Sequence, residues 1–148
     1  MTRSLIAVAA LVASVSVSAG ELDGKGLICK PDEESTPFGF EFSDGRAIGW
    51  SVERHEFESK AVIEEFGSGK EYRTTPTRAF WWEIGHQEVY QLDRKTLRLR
   101  WVPGAMELEA KEYQCEVAAS LDSFRATLED ARAEMQLYID FLMKDNQI

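Results

Sequence analysis

Arg78-Ala79-Phe80-Trp81-Trp82-Glu83-Ile84, a Gly85-His86 break, Gln87-Glu88-Val89-Tyr90-Gln91-Leu92, an Asp93-Arg94 corner and Lys95-Thr96-Leu97-Arg98-Leu99-Arg100-Trp101 decide the fold class of this chain. The runs alternate with period two, as strands with one buried face do. Minimal turns between them make an antiparallel meander. The stretch holds three of the four tryptophans. Phe80, Trp82 and Ile84 share one face, as do Leu97, Leu99 and Trp101, and these faces are expected to point inward. Trp81 then points outward, near an outer face of Thr96, Arg98 and Arg100.

The same period extends to both sides. Upstream, Lys25 to Lys30 puts Leu27 and Cys29 on one face, and a polar loop runs from Pro31 to Pro37. Phe38, Phe40 and Phe42 then alternate with Gly39, Glu41 and Ser43. Asp44-Gly45 is a type I′ turn signal, because both central residues of that turn need positive φ. The return strand carries Ile48, Trp50 and Val52 on one face. Glu53 to Lys60 reads as a charged connector, and Ala61 to Phe66 with Lys70 to Thr74 as a second hairpin about Gly67-Ser68-Gly69. Pro76 interrupts the approach to the meander, since proline cannot donate to a central ladder. Beyond Pro103-Gly104, Tyr113, Cys115 and Val117 alternate with Gln114 and Glu116. About eight or nine short strands with hairpin turns predict a small antiparallel up-and-down barrel rather than βαβ units.

The N-terminus predicts the compartment. Met1-Thr2-Arg3 is basic, Leu5 to Val17 is uncharged and rich in apolar and small residues, and Val17-Ser18-Ala19 is a small-x-small site. Residues 1–19 read as a secretory signal peptide cut between Ala19 and Gly20. The run is short of the roughly 20 apolar residues of a membrane span, and Gly20 stands where a lipoprotein signal would have cysteine. The expected product is periplasmic or secreted, with no stable membrane insertion. Its barrel domain covers residues 20–119 and its helix 120–148. The net charge of −9 repels phosphate backbones and excludes nucleic acid as an expected partner.

In an exported chain the two cysteines, Cys29 and Cys115, point to one disulfide. There is no Cys-x-x-Cys and no histidine beside either cysteine to suggest a reactive or metal-binding pair. The bond would close a loop of about 85 residues, worth about 4 kcal/mol in the chain-entropy account. It would also set the first strand beside the last, which closure of a barrel requires.

From Ser120 the period changes. Leu121, Phe124, Leu128, Ala131, Met135, Tyr138 and Leu142 recur at steps of three and four, an amphipathic helix close to a heptad seam. Ser120 or Asp122 caps it, and no glycine or proline follows Gly104. About 25 helical residues span about 38 Å, enough to overhang a compact body of about 100 residues. The last turns are apolar nearly all round: Leu137, Tyr138, Ile139, Phe141, Leu142 and Met143. Exposed surface of that kind marks a contact site, whereas a stripe that merely packs on the barrel would leave none.

Catalytic chemistry finds little support. His55 lies among Glu53, Glu56 and Glu58, where a carboxylate could orient the imidazole. His86 lies in a turn, and nothing in the spacing supplies the three protein ligands of a catalytic zinc. Gly67-Ser68-Gly69 lacks the strand-to-helix setting of a nucleophile elbow, and Gly24-Lys25-Gly26 precedes a strand rather than a helix. Arg98 and Arg100 form an anion-facing patch unless neighbours such as Glu83 and Glu88 pair with them across strands. A barrel lined by Phe38, Phe40, Phe42, Trp50, Phe80, Trp82 and Trp101 is filled, which leaves room for a ligand only at a mouth near Trp50, Trp82 and Tyr90.

Gly24-Lys25-Gly26-Leu27-Ile28-Cys29, Leu92-Asp93-Arg94-Lys95-Thr96-Leu97-Arg98-Leu99 and Tyr113-Gln114-Cys115 resemble segments of a group of short exported bacterial proteins without an assigned activity. The resemblance covers the barrel part and not the C-terminal helix. It implies a small disulfide-closed, calycin-like barrel and no ligand or catalytic residue. The expected function is non-enzymatic and free of cofactors: a binding or interaction module that meets a protein partner, or a second copy, through Leu137, Phe141 and Leu142 of the helix. A calycin-like carrier of a small ligand is the alternative. An enzyme built on His55 with Glu53 or Glu56 ranks third.

Overall fold

The computed structural model describes residues 21–32, 35–55, 57–83, 88–104 and 109–145. The expected signal peptide and its cut, Glu56, Ile84 and His86 lie outside the described residues. The strands are β1 (Gly26–Lys30), β2 (Phe38–Ser43), β3 (Arg46–His55), β4 (Lys60–Thr74), β5 (Arg78–Glu83), β6 (Glu88–Asp93), β7 (Arg98–Val102) and β8 (Lys111–Val117). They form one closed antiparallel barrel in chain order. The helix α1 (Leu121–Asp145) follows. β1 closes the barrel against β8, with Leu27 opposite Val117 and Cys29 opposite Cys115. The two cysteines form the expected disulfide. Asp44 and Gly45 have φ of 52° and 70°, as the type I′ turn demands.

Two expected segments differ. Lys60–Thr74 is one strand, not a hairpin. Ala47 faces Lys70 while Gly49 faces Phe66, so Gly67-Ser68-Gly69 is a bulge inside β4. Gly67 and Gly69 have φ of 64° and 33°. A bulge and a turn both call for positive φ, so glycine alone does not separate them. Glu53 to Lys60 is not a connector either, because β3 runs to His55 and pairs it with Lys60. β2 reaches β3 only as far as Ser51, and β5 meets β4 only at Tyr72, Arg73 and Thr74. The far ends of β3 and β4 therefore make a two-stranded arm beyond the barrel.

The interior is a packed aromatic core. Phe40, Phe42, Tyr72, Trp81, Leu92 and Leu99 are buried in it. Trp81 stacks on Tyr90 at 5.6 Å and meets Phe40 and Phe42 edge-on at 4.8 and 5.4 Å. The expected parity of β5 is thus reversed. Trp81 points in, and Phe80 and Trp82 stack on each other outside at 6.3 Å, with the Arg73 guanidinium 5.3 Å from the Trp82 ring centre. Three consecutive aromatics carry no alternation; register is set by Ala79 opposite Leu92 and Trp81 opposite Tyr90.

Residues 21–23 seal one end. Leu22 is buried in the core, and its N–H donates to the Tyr72 hydroxyl at 2.8 Å. Tyr72 donates in turn to Asp23 at 3.0 Å, and Arg94 pairs with Glu21. Burial raises the phenol pKa of Tyr72, and of Tyr113, above the ordinary 10.0. The fold therefore keeps protons that the unfolded chain releases. That stability is complete below pH 10.0 and is lost as pH rises through the folded values. Tyrosinate absorbance and loss of near-ultraviolet dichroism are expected to rise together in an alkaline titration. Complete tyrosinate formation with unchanged dichroism would contradict the buried phenols.

The helix covers the outer face of β1 to β4. Phe124 is fully buried, and a Cβ on either Gly26 or Gly39 would lie 2.6 Å from its ring. Those glycines form the floor on which the ring rests. Leu128 joins Phe124, Ile28 and Val52 in this second core, with Trp50 and Ile63 beside them. Trp50 is therefore under the helix, not inside the barrel as expected. Ser120 and Ser123 exchange side-chain to backbone hydrogen bonds at 3.1 and 2.9 Å and cap the helix. Arg125 reaches the Glu41 carboxylate at 3.1 Å.

The second half of the helix follows the arm rather than projecting free. The Gln136 side chain accepts the Ala61 N–H at 2.9 Å and donates to the Ser59 carbonyl at 3.3 Å. Ile139 is buried, whereas Tyr138 is exposed. A strict heptad drifts by about 20° per repeat on a straight helix, so the inward stripe shifts from Tyr138 to Ile139.

Candidate functional site

Among the described residues the barrel interior is packed with aromatic side chains. The internal void lined by Phe40, Phe66, Trp81 and Tyr90 is about 10 Å³, no more than about one water. The expected mouth site is not assembled. Tyr90 packs against the interior, Trp82 stands on the outer face of β5, and Trp50 lies beneath the helix. Trp101 is half-buried, with the Lys111 ammonium 5.7 Å from its ring centre.

The arginine face lies on the outside of β5 to β8. Arg78 stands opposite Asp93, and Arg100 opposite both Gln91 and Glu112. Arg98 stands opposite Gln114. These arginines border a shallow cleft of about 370 Å³. Glu88 instead accepts the Tyr90 hydroxyl at 3.4 Å. Thr96 is not on the strand. It lies in the turn, where its N–H and that of Lys95 donate to Asp93 at 2.8 and 2.9 Å. These bonds, Thr96 first, hold the Asp93 carboxyl below its ordinary value. Asp93 thus stays ionised among the arginines, and Glu112 adds a second negative charge, so the face keeps little net positive charge.

Glu53 and His55 of the histidine constellation lie two residues apart at the end of β3. Glu53 accepts the Ser51 hydroxyl at 2.9 Å, and His55 meets the Phe57 ring edge-on at 6.4 Å. Among the described residues no three His, Cys, Asp or Glu side chains gather to hold a metal ion. No helix of the described residues is long and apolar enough to cross a membrane.

One end of the molecule is different. Leu137, Tyr138 and Phe141 are 70%, 62% and 60% exposed, Met143 is 41% exposed, and Phe57 at the arm tip is 94% exposed. Among the described large hydrophobics, only Val89 and Val117 are exposed elsewhere. Met143 touches Ser59 at 3.6 Å, so the arm tip and the helix end form one pole. Leu142, expected at this surface, is half-buried. Beside the pole a groove of about 600 Å³ runs between the helix and the strand-linking segment Ser35–Pro37. Ala131, Met135, Tyr138 and Pro37 make its apolar lining, and Asp130 and Glu134 its acidic rim.

Of the expected surface residues, the fold joins Leu137 and Phe141 here. Arg98 and Arg100 stay together on β7, Trp81 and Tyr90 stack in the interior, and Trp50 and Trp82 lie apart from them outside the barrel. Phe57 was missed, and its signal was an aromatic alone in a run of charges. Compared with family models, curated proteins and solved structures, the chain has no significant match in any of the three.

Proposed function

We propose that this chain is an exported, non-catalytic interaction module, with the barrel as scaffold and the apolar pole as its contact surface. The observation that carries this reading is the concentration of exposed Leu137, Tyr138, Phe141, Met143 and Phe57 at one end. Solvated surfaces scatter such residues, and their concentration at one end marks a site of association. The filled interior supports a binding surface on the outside rather than a carrier's chamber. Export is supported by the disulfide, which belongs to oxidising compartments, and by the signal-like residues 1–19.

Point changes test this better than truncation, because removing the helix would uncover Ile28 and Val52 as well. Leu137→Asp with Phe141→Asp is expected to leave circular dichroism and the melting midpoint nearly unchanged, since both side chains are exposed. The same pair should abolish capture of the binding partner from a native extract, whereas Arg98→Glu with Arg100→Glu should not. Retained capture by the Leu137/Phe141 variant, with loss in the arginine variant, would move the contact surface to β7.

A further inference from the structure

We infer that the segment docking at this pole is a basic amphipathic helix, seated with its apolar side along the last helical turns and its cations over the acidic groove rim. The inference rests on the interaction-module reading and adds the chemistry of the partner. At about 100° per residue, Tyr138, Phe141 and Leu137 continue round one flank of α1, away from the buried Ile139. Gln136 and Met143 lie on the other flank and meet the arm there. The free flank also carries Asp130 and Glu134 one to two turns earlier, at the groove. An apolar strip therefore leads into an acidic, apolar-floored groove on the same side of the helix.

That arrangement selects among occupants. A second copy paired about a two-fold axis would set equivalent surfaces against each other. The acidic rims would then meet like charge in a chain of net charge −9, with Lys30 as the one cation lining the groove among the described residues. An anionic lipid surface is disfavoured for the same reason. A helix whose leucine-type side chains cover Leu137, Tyr138 and Phe141, and whose lysines or arginines meet Asp130 and Glu134, satisfies both parts of the surface.

The test uses the chain from Gly20 onward and two synthetic probes of about four helical turns each. Both probes carry one leucine face, one with lysine and the other with glutamate on the remaining positions. The lysine probe is expected to bind measurably by fluorescence anisotropy and the glutamate probe not. Leu137→Asp with Phe141→Asp should weaken the lysine probe by roughly tenfold or more. Asp130→Asn with Glu134→Gln should weaken it about threefold and flatten its salt dependence, while neutralising Glu116 and Asp122 elsewhere should not. Equal binding of the two probes would overturn the basic partner and leave the apolar contact surface standing. Unchanged binding in the Leu137/Phe141 variant would overturn both. A solution mass of a dimer that those two substitutions dissociate would assign the pole to a second copy and overturn the basic helix.

Discussion

Replacing Cys29 and Cys115 together by alanine is expected to lower stability by about 4 kcal/mol without changing the fold. The bond links residues 86 apart, across the seam where β1 meets β8. In the folded state the seam keeps its ladder, because Leu27, Ile28 and Lys30 also pair with Val117, Glu116 and Gln114. The loss falls on the unfolded chain, which regains the freedom of a long open loop. Both cysteines are buried, so alanine leaves only a small void and introduces no unpaired polar group. For a chain of this size the melting midpoint should fall by roughly 10–20 °C. Wild-type protein kept reduced should follow the same curve. An unchanged midpoint in both would show that the unfolded chain is already confined, or that the seam carries less of the closure than described.

Phe124→Ala is the second large effect, at about 3–5 kcal/mol for a buried phenylalanine. Its ring fills the floor left by Gly26 and Gly39 and joins α1 to Ile28, Val52 and Leu128. Gly26 gives a sharper test than the single change. The three atoms nearest a Cβ there all belong to Phe124, at 2.6 Å, whereas at Gly39 the nearest is the Leu27 carbonyl oxygen at 2.5 Å. Gly26→Ala should therefore cost about 1–3 kcal/mol by overpacking in the wild-type chain and only part of that once Phe124 is alanine, because Cγ and Cδ2 go while the Cβ of residue 124, also at 2.6 Å, stays. Denaturant titrations of the two single variants and the double variant measure that coupling. Additive costs would place the glycine's role in the backbone rather than under the ring. The Phe124 variant should also be cut within residues 121–145 by protease before the barrel is, since the helix loses its first anchor.

Much of this architecture is legible in the sequence where one physical requirement has one solution. Asp44-Gly45 needs positive φ twice, the cysteine pair must join the first strand to the last, and the period switches from two to about 3.6 at Ser120. The parity of β5 was not legible, because Phe80, Trp81 and Trp82 satisfy either face. Arg78 carried the signal, since it shares a face with Phe80 and Trp82 and opposes Asp93 on the outside. The arm was hidden for a related reason. Charged residues such as Glu53 and Arg54 read as a loop, but a two-stranded ribbon beyond the barrel can be polar on a face that covers nothing. The helix end was legible as apolar, yet its phase was not. The drift of a heptad stripe on a straight helix turns Ile139 inward and Tyr138 outward.

We propose association at the helix-end pole and not on the arginine face or the outer face of β5. Site-specific photo-crosslinking in cells tests it most directly, with a benzophenone side chain placed in turn at Leu137, Phe141, Arg98 and Trp82. Illumination should give one discrete adduct, of the same mass, from positions 137 and 141, and none from 98 or 82. Adducts confined to 98 or 82, with none from the helix, would move the contact surface to the outer face of β5 to β8.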